Sequence, residues 1–316
     1  MTSQCFVGFD TSNYTTSAAV CSLEGEVIAN IKEPLCVRAG ECGLRQSDAV
    51  FSHVRNLPSV TALLREAVRG AEILAVGCSA RPREAEGSYM PCFLSGVAAA
   101  NSFAAALDIP VYDFSHQDGH IMAAVYSSGE SDRLLDEPFA AFHVSGGTTE
   151  VLYVIPKRDG FSVKLVGKTA DLNAGQAIDR VGVMMGLGFP CGKEMETLAS
   201  RYEGEIPTPR ICVKNGNCNL SGLQNLAEKL WRESGDAMAV SAYVLEFIGK
   251  TLCEMTAQLD LAYPGLPVVY AGGVMSNQRL QAMLGRRSNT FFAEPQFSAD
   301  NAAGIALLCR KRFLKL

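Results

Sequence analysis

One pattern, occurring twice, constrains this chain more than any other feature. Strand, polar turn, strand, glycine turn and strand occupy residues 6–10, 11–16, 17–22, 25 and 27–31. The same series returns about one domain length later at 139–143, 144–149, 150–155, 159–160 and 161–166. A pair of tight hairpins between core strands would account for either copy alone. Two copies, each followed by helices and further strands, predict two lobes of an α/β layer fold, with residues 1–135 forming the N-terminal lobe and 136–316 the C-terminal lobe. At 316 residues and 48% hydrophobic, the chain has enough material for both cores.

Both polar turns are rich in Ser, Thr or Gly, whose hydroxyls and unhindered backbone N–H groups suit a phosphate. In the first they are Thr11, Ser12, Thr15 and Thr16; in the second, Ser145, Gly146, Gly147, Thr148 and Thr149. A third candidate follows the buried strand at 267–271, where Gly272-Gly273-Val274-Met275-Ser276-Asn277 leads into a helix. Free N–H groups at a helix start favour an anion, although many crossovers need glycine only for packing. Further helices are expected at 49–68, interrupted near Pro58, and at 92–107, 174–187, 194–202, 236–262 and 299–312, the last capped by Ser298. Strands are expected at 73–78, 110–113 and 210–213.

Two of only four histidines form His116-Gln117-Asp118-Gly119-His120. A spacing of four places both imidazoles on one face of a helical turn, within reach of one ion. A third ligand is expected to be a carboxylate from elsewhere. Asp300 is the first choice, with Asp118 and His143 as alternatives; the opposing reading is that the two histidines merely cap or pack a helix and that Asp300 caps one. Gly119 argues slightly against plain helix packing, since glycine costs helix stability.

Composition excludes several classes. The eleven cysteines include no Cys-x-x-Cys pair and are scattered through apolar segments, as reduced core thiols would be; Cys36 and Cys42 have the wrong spacing for a zinc knuckle. No apolar run is long and unbroken enough to span a bilayer, and the N-terminus lacks the features of a secretory signal, so a cytoplasmic protein with no membrane association is expected. A net charge of -5 does not advertise nucleic acid, leaving the tail Arg310-Lys311-Arg312 with Lys315 as the local basic candidate, or simply a solvated helix end.

With these pieces in order, the chain resembles the TsaD family, the tRNA threonylcarbamoyladenosine synthases formerly called glycoproteases, as a divergent bacterial member. The resemblance spans nearly all residues. It is carried by Thr11-Ser12, residues 116–120, Val144-Ser145-Gly146-Gly147, residues 174–179, residues 186–192, Ser221-Gly222-Leu223, Ala271-Gly272-Gly273-Val274 with Asn277, and Asp300-Asn301. It implies two ribonuclease H-like lobes of the actin, sugar-kinase and heat-shock ATPase type around a central nucleotide cleft. It implies an acyltransferase that moves a threonylcarbamoyl group from threonylcarbamoyl-AMP to N6 of the adenosine 3′ of the anticodon, in tRNAs reading codons that begin with A. By match to the family's motifs, His116, His120 and Asp300 would hold a catalytic divalent metal, iron or zinc. Val144, Ser145, Gly146, Gly147, Thr148, Asp179, Gly192 and Asn277 would bind the adenine nucleotide. A TsaB-like paralogue and a TsaE-like ATPase would be partners alongside tRNA.

Three stretches depart from the family pattern. Tyr14 and Thr15 replace two acidic residues of the first loop, Thr148 replaces a histidine, and residues 79–91 replace a glycine-rich Arg-Gly-Pro-Gly loop. Two alternatives therefore stand beside the transferase. One is a non-catalytic metal-binding paralogue serving as a complex subunit; the other is an ATPase or phosphotransferase of the same superfold, using Asp10 and the phosphate loops. No nucleophile, base and orienting residue assemble into a peptidase.

Overall fold

The computed structural model describes residues 3–12, 14–36 and 44–315; Asn13 and Cys42 lie outside the described residues. Two compact units emerge. The first comprises Met1–Gly129, Pro156–Ser162 and Gln296–Leu316; the second comprises Glu130–Ile155 and Val163–Pro295. The chain first crosses between units at Gly129/Glu130 rather than at 135/136. The closing segment returns to the first unit because its helix packs its apolar residues against the first sheet.

In the first unit, β1 (Gln4–Asp10), β2 (Thr15–Ser22) and β3 (Val27–Pro34) form an antiparallel series. Helix α1 (Gln46–Ala67), β4 (Glu72–Arg81), α2 (Phe93–Leu107), β5 (Val111–Ser115) and α3 (His116–Ser127) follow. The sheet order is β3-β2-β1-β4-β5, with β4 parallel to both β1 and β5. Val7, Phe9, Val20 and Val76 bury one face against Val60, Leu64, Ala100 and Ala104 of α1 and α2.

The second unit opens with α4 (Ser131–Leu134), then β6 (Phe139–Val144), β7 (Thr149–Lys157) and β8 (Gly160–Lys168). Helices α5 (Ala174–Met184) and α6 (Gly192–Ser200) precede the small hairpin of β9 (Cys212–Lys214) and β10 (Asn217–Asn219). Then come α7 (Ser221–Ser234), α8 (Ala237–Ala262), β11 (Val268–Ala271), a 3-10 turn at Gly273–Ser276, α9 (Gln278–Leu284) and β12 (Thr290–Phe292). The strand order β12-β11-β6-β7-β8 repeats that of the first sheet, so the duplication in sequence is a duplication in topology. Fifteen of the 26 residues of α8 are buried, which makes it the central helix of this core. Short α10 (Pro295–Ser298) and α11 (Ala303–Leu314) close the chain.

Several local expectations are corrected. Helix α1 runs unbroken through Pro58, one of whose neighbours, Thr61, hydrogen-bonds the Leu57 carbonyl at 2.8 Å. Helix α7 was not anticipated, although it is amphipathic and stops at Gly235 in the left-handed conformation. The last helix starts at Ala303, not near 299, and Ser298 belongs to α10. The Asn301 carboxamide serves its first turn by accepting from the Ala303 N–H at 3.0 Å. All ten described cysteines are free and seven are buried. Burial pushes the Cys5 thiol up to about 11 and Cys21 to about 12, which keeps them inert. Among the described residues, no helix is long and apolar enough to cross a membrane.

Candidate metal centre and phosphate loops

Strand β5 passes directly into α3, so His116 is the first helical residue and His120 lies one turn on. Ser115 caps the junction, its hydroxyl accepting from the Asp118 N–H at 3.0 Å. The two imidazole rings meet edge to face with centroids 4.3 Å apart. Asp300 arrives from the segment before α11, its Oδ1 lying 3.2 Å from His120 Nε2 and 3.6 Å from His116 Nε2. One donor atom from each of the three lies within 4.8 Å of the others. Two imidazole nitrogens and one carboxylate oxygen converging this closely fit a divalent metal ion. The alternative third ligands, Asp118 and His143, are not in this group.

Glycine has a different role here from the one expected of it. A Cβ on Gly304 would sit 1.9 Å from the Gly119 carbonyl oxygen, and one on Gly119 would sit 2.9 Å from Ile305 Cδ1. Gly119 is therefore itself a packing residue: it lets α3 lie directly against α11 and brings the histidines beside Asp300. Asn301 takes the capping role, which leaves the Asp300 carboxylate for the histidines.

Asp10 and Ser12 complete this cluster, and the sequence reading gave neither a place in it. Asp10 Oδ2 is 2.8 Å from His116 Nδ1, and Asp10 Oδ1 accepts from the Ser12 N–H at 2.7 Å and from the Ser12 hydroxyl. Burial pushes the Asp10 carboxyl up, but the His116 charge and the hydrogen bonds from His116 and Ser12 outweigh it and hold the group below the usual carboxylate range. Burial pushes His116 down, while the Asp10 charge and hydrogen bond, with Asp300, outweigh that and hold it above the ordinary imidazole range. Thr11 anchors the same turn to α2, its hydroxyl donating to the Cys92 carbonyl at 2.9 Å and accepting from the Gly96 N–H at 2.9 Å. The signal in the sequence was a single acidic residue ending an apolar strand.

Val144 ends β6, buried, and the second turn follows it. The Ser145 N–H bonds the Thr148 carbonyl at 2.7 Å, and the Ser145 hydroxyl accepts from the N–H groups of Gly147 (3.3 Å) and Thr148 (3.1 Å). Gly146 and Gly147 are exposed, with nothing within 4 Å of where a Cβ would stand. Neighbouring glycines shape this turn: a Cβ on Gly272, at φ +103°, would lie 2.2 Å from the Val144 oxygen.

Asp179, on α5, accepts from the Cys191 N–H at 2.8 Å through one carboxylate oxygen, leaving the other for a further donor. Gly192 starts α6 with open space beside it. Asn277 is buried and caps α9, its Oδ1 accepting from the Leu280 N–H at 3.1 Å; its Nδ2 group is what remains for a ligand. Asp171, also not anticipated, accepts from the N–H groups of Leu172 (2.6 Å) and Leu220 (2.8 Å) and from the Ser221 hydroxyl (2.6 Å). Although burial pushes its carboxyl up, the hydrogen bonds from Ser221, Leu220 and Asn219 hold it well below the usual range. It fastens the start of α7 beside the start of α5.

The basic tail is largely engaged within its own unit. Arg310 Nε donates to the Leu23 carbonyl at 2.6 Å, Lys311 Nζ to the Lys157 carbonyl at 2.8 Å, and the Arg312 guanidinium stands over the Tyr112 ring at 5.2 Å.

The family model for TsaD, described as tRNA N6-adenosine threonylcarbamoyltransferase, matches residues 38–307. A protein of that name from Streptococcus gordonii is 32% identical over 291 residues, covering 88% of this chain and 82% of its own. One from Streptococcus suis is 28% identical over 326 residues, covering 100% and 94%. Among solved structures, component A of the (R)-2-hydroxyglutaryl-CoA dehydratase of Acidaminococcus fermentans superposes with a TM-score of 0.56 at 12% identity, covering 98% of both chains. A ROK family glucokinase from Streptomyces griseus does so with 0.51 at 14%, covering 97% and 99%. Full-length HypF gives 0.58 at 14%, covering 98% of this chain and 46% of that one. These three likenesses share with the present chain the two-lobed α/β fold of actin-like ATPases and sugar kinases.

Proposed function

The chain belongs to the TsaD family of tRNA N6-adenosine threonylcarbamoyltransferases, and from that premise we propose that it modifies tRNA by acyl transfer. The donor is threonylcarbamoyl-AMP, and the acceptor is N6 of the adenosine 3′ of the anticodon in tRNAs that read codons beginning with A. In the reaction the N6 amine attacks the carbamoyl carbon, the bond from that carbon to the AMP phosphate oxygen breaks, and the amine loses a proton as AMP departs.

The observation that carries the proposal is the convergence of His116, His120 and Asp300 in a chain of this family. These residues would hold one divalent ion, iron or zinc, to which imidazole and carboxylate are both suited. Such an ion supplies Lewis acidity toward a donor carbonyl, which an amine as weakly nucleophilic as adenine N6 requires. The remaining work falls to the chain's own groups. The backbone N–H groups of Gly146 and Gly147 would donate to the adenylate phosphate and stabilise AMP as it leaves, Gly147 exchanging its 3.3 Å bond to the Ser145 hydroxyl, with Ser145 and Thr148 fixing the turn and Val144 anchoring it to β6. The free oxygen of Asp179 suits a ribose hydroxyl, and Gly192 and Asn277 Nδ2 complete the nucleotide contacts.

Nothing in the described tail favours it as the tRNA contact, and the chain is acidic overall. We therefore assign tRNA capture to a complex with a TsaB-like paralogue and a TsaE-like ATPase in the cytoplasm. The test is a transfer assay with these partners, threonylcarbamoyl-AMP and unmodified tRNA, read by nucleoside mass spectrometry. Product from the wild type and none from His116→Ala supports the transferase; a metal-loaded wild type that yields no product with any partner set leaves the non-catalytic subunit in its place.

A further inference from the structure

Asp10 is 1% exposed at the end of an otherwise apolar strand, a costly position for a carboxylate without partners. Strand register fixes it: Asp10 pairs with Ser17 of β2, whose hydroxyl donates to the Asp10 carbonyl at 3.1 Å. Ser12 then holds Oδ1 from two directions, through its N–H at 2.7 Å and its hydroxyl. That arrangement aims Oδ2 at His116 Nδ1, 2.8 Å away, with the Ser12 hydroxyl standing 2.9 Å from the same nitrogen. The opposite ring nitrogen, Nε2, lies 3.6 Å from Asp300 Oδ1, on the side where His120 Nε2 also stands, and 3.3 Å from the Ser12 hydroxyl.

We propose that Asp10 is the positioning residue of the metal centre: its carboxylate accepts the proton on His116 Nδ1 as a hydrogen bond, fixing the tautomer whose Nε2 carries a free lone pair and turning that atom toward Asp300 and His120. This rests on the reading of His116, His120 and Asp300 as metal ligands. A carboxylate is required because it only accepts. An asparagine there can also present its Nδ2 to an unprotonated Nδ1, which moves the ring proton to Nε2 and blocks the ligand atom. Carboxylate–histidine–metal relays of this type raise ligand basicity and fix ring orientation, and losing the outer carboxylate costs roughly 10- to 100-fold in metal affinity. Ser12 plays the supporting part: it holds Oδ1 so that Oδ2 keeps its aim, and its hydroxyl also touches the His116 ring directly.

The test titrates zinc, against a competing chromophoric chelator, into the full-length metal-free protein as wild type, Asp10→Asn, Ser12→Ala and His116→Ala. Each variant is also loaded with cobalt(II) to record the ligand-field spectrum. Wild type is expected to bind one equivalent and His116→Ala to lose the site. Asp10→Asn should bind about 10- to 100-fold more weakly with an altered cobalt spectrum, and Ser12→Ala should fall between it and wild type. A merely structural Asp10 would lower the thermal midpoint of the metal-free protein while leaving zinc affinity and cobalt spectrum unmoved, and that result overturns the inference. If Asp10→Asn does not fold, Asp10→Ala decides the question by the same two readouts, because Ser12→Ala also removes a hydroxyl 2.9 Å from His116 Nδ1. A wild type that binds neither metal overturns the metal reading itself, and the positioning role with it.

Discussion

The turn after β1 and the turn after β6 hold the same place in the same strand order, yet they are built from opposite materials. The first ends on side chains: Asp10 Oδ2 and the Ser12 hydroxyl both point at His116, with His120 and Asp300 completing the cluster. The second ends on backbone: Gly146 and Gly147 are exposed with no side chain of their own, the Gly147 N–H bonded only at 3.3 Å to the Ser145 hydroxyl, and Gly272 keeps a side chain out of the way. Duplicating a topology thus duplicates a location, while residue type decides the chemistry done there. Side-chain donors suit a cation, and clustered N–H groups suit a phosphate.

The comparison breaks most readily through the glycines that shape each site. Gly304→Ala puts a methyl 1.9 Å from the Gly119 oxygen, and the expected cost is about 3–4 kcal/mol with loss of metal binding. Adenylate affinity should be retained at temperatures where the protein stays folded, as calorimetry and metal analysis can check together. Gly272→Ala is the mirror experiment. Its Cβ would meet the Val144 oxygen at 2.2 Å on a backbone at φ +103°, which predicts a loss of about 2–3 kcal/mol and weakened nucleotide binding with metal content intact. Crossed outcomes, with the first variant losing nucleotide or the second losing metal, would end the division of labour.

A gentler change sharpens the same point. Gly146 has open space around it and no positive φ, so Gly146→Ala should leave the melting temperature nearly unchanged. Its methyl nevertheless stands where a phosphate would approach, and AMP affinity should fall about tenfold, roughly 1.4 kcal/mol. The smallest effect concerns Asp118, whose carboxyl burial pushes up to about 6. The folded protein binds this proton more tightly than the unfolded chain does. Its stabilising contribution is therefore full below about pH 4 and is lost as pH rises through about 6. Asp118→Asn should flatten that slope in denaturant titrations and raise stability at pH 7.5 by about 1 kcal/mol.

What could be read from sequence follows the same division. The doubled strand pattern was legible because short apolar runs bounded by polar and glycine turns are a local signal. The His116–His120 pair was legible because a spacing of four is local too. Asp300 could be nominated but not placed, since its approach depends on the close packing of α3 on α11 through Gly119 and Gly304, residues that look unfavourable when each is considered in its own helix. Asp171, and the place of Asp10 beside His116, escaped for a related reason, Asp10 having been named only for a phosphotransferase: each gains its meaning from partners far along the chain, His116 for Asp10 and Leu220 with Ser221 for Asp171. Helix α1 shows the converse, with Pro58 carried inside a helix whose tertiary packing overrides the local break.

The most direct test of the division of labour is an AMP titration of wild type and His116→Ala, with the metal content of each sample measured alongside. The account predicts that His116→Ala loses the metal while its AMP affinity stays within about threefold of wild type. Loss of AMP binding together with the metal, in a protein that remains folded, would contradict it.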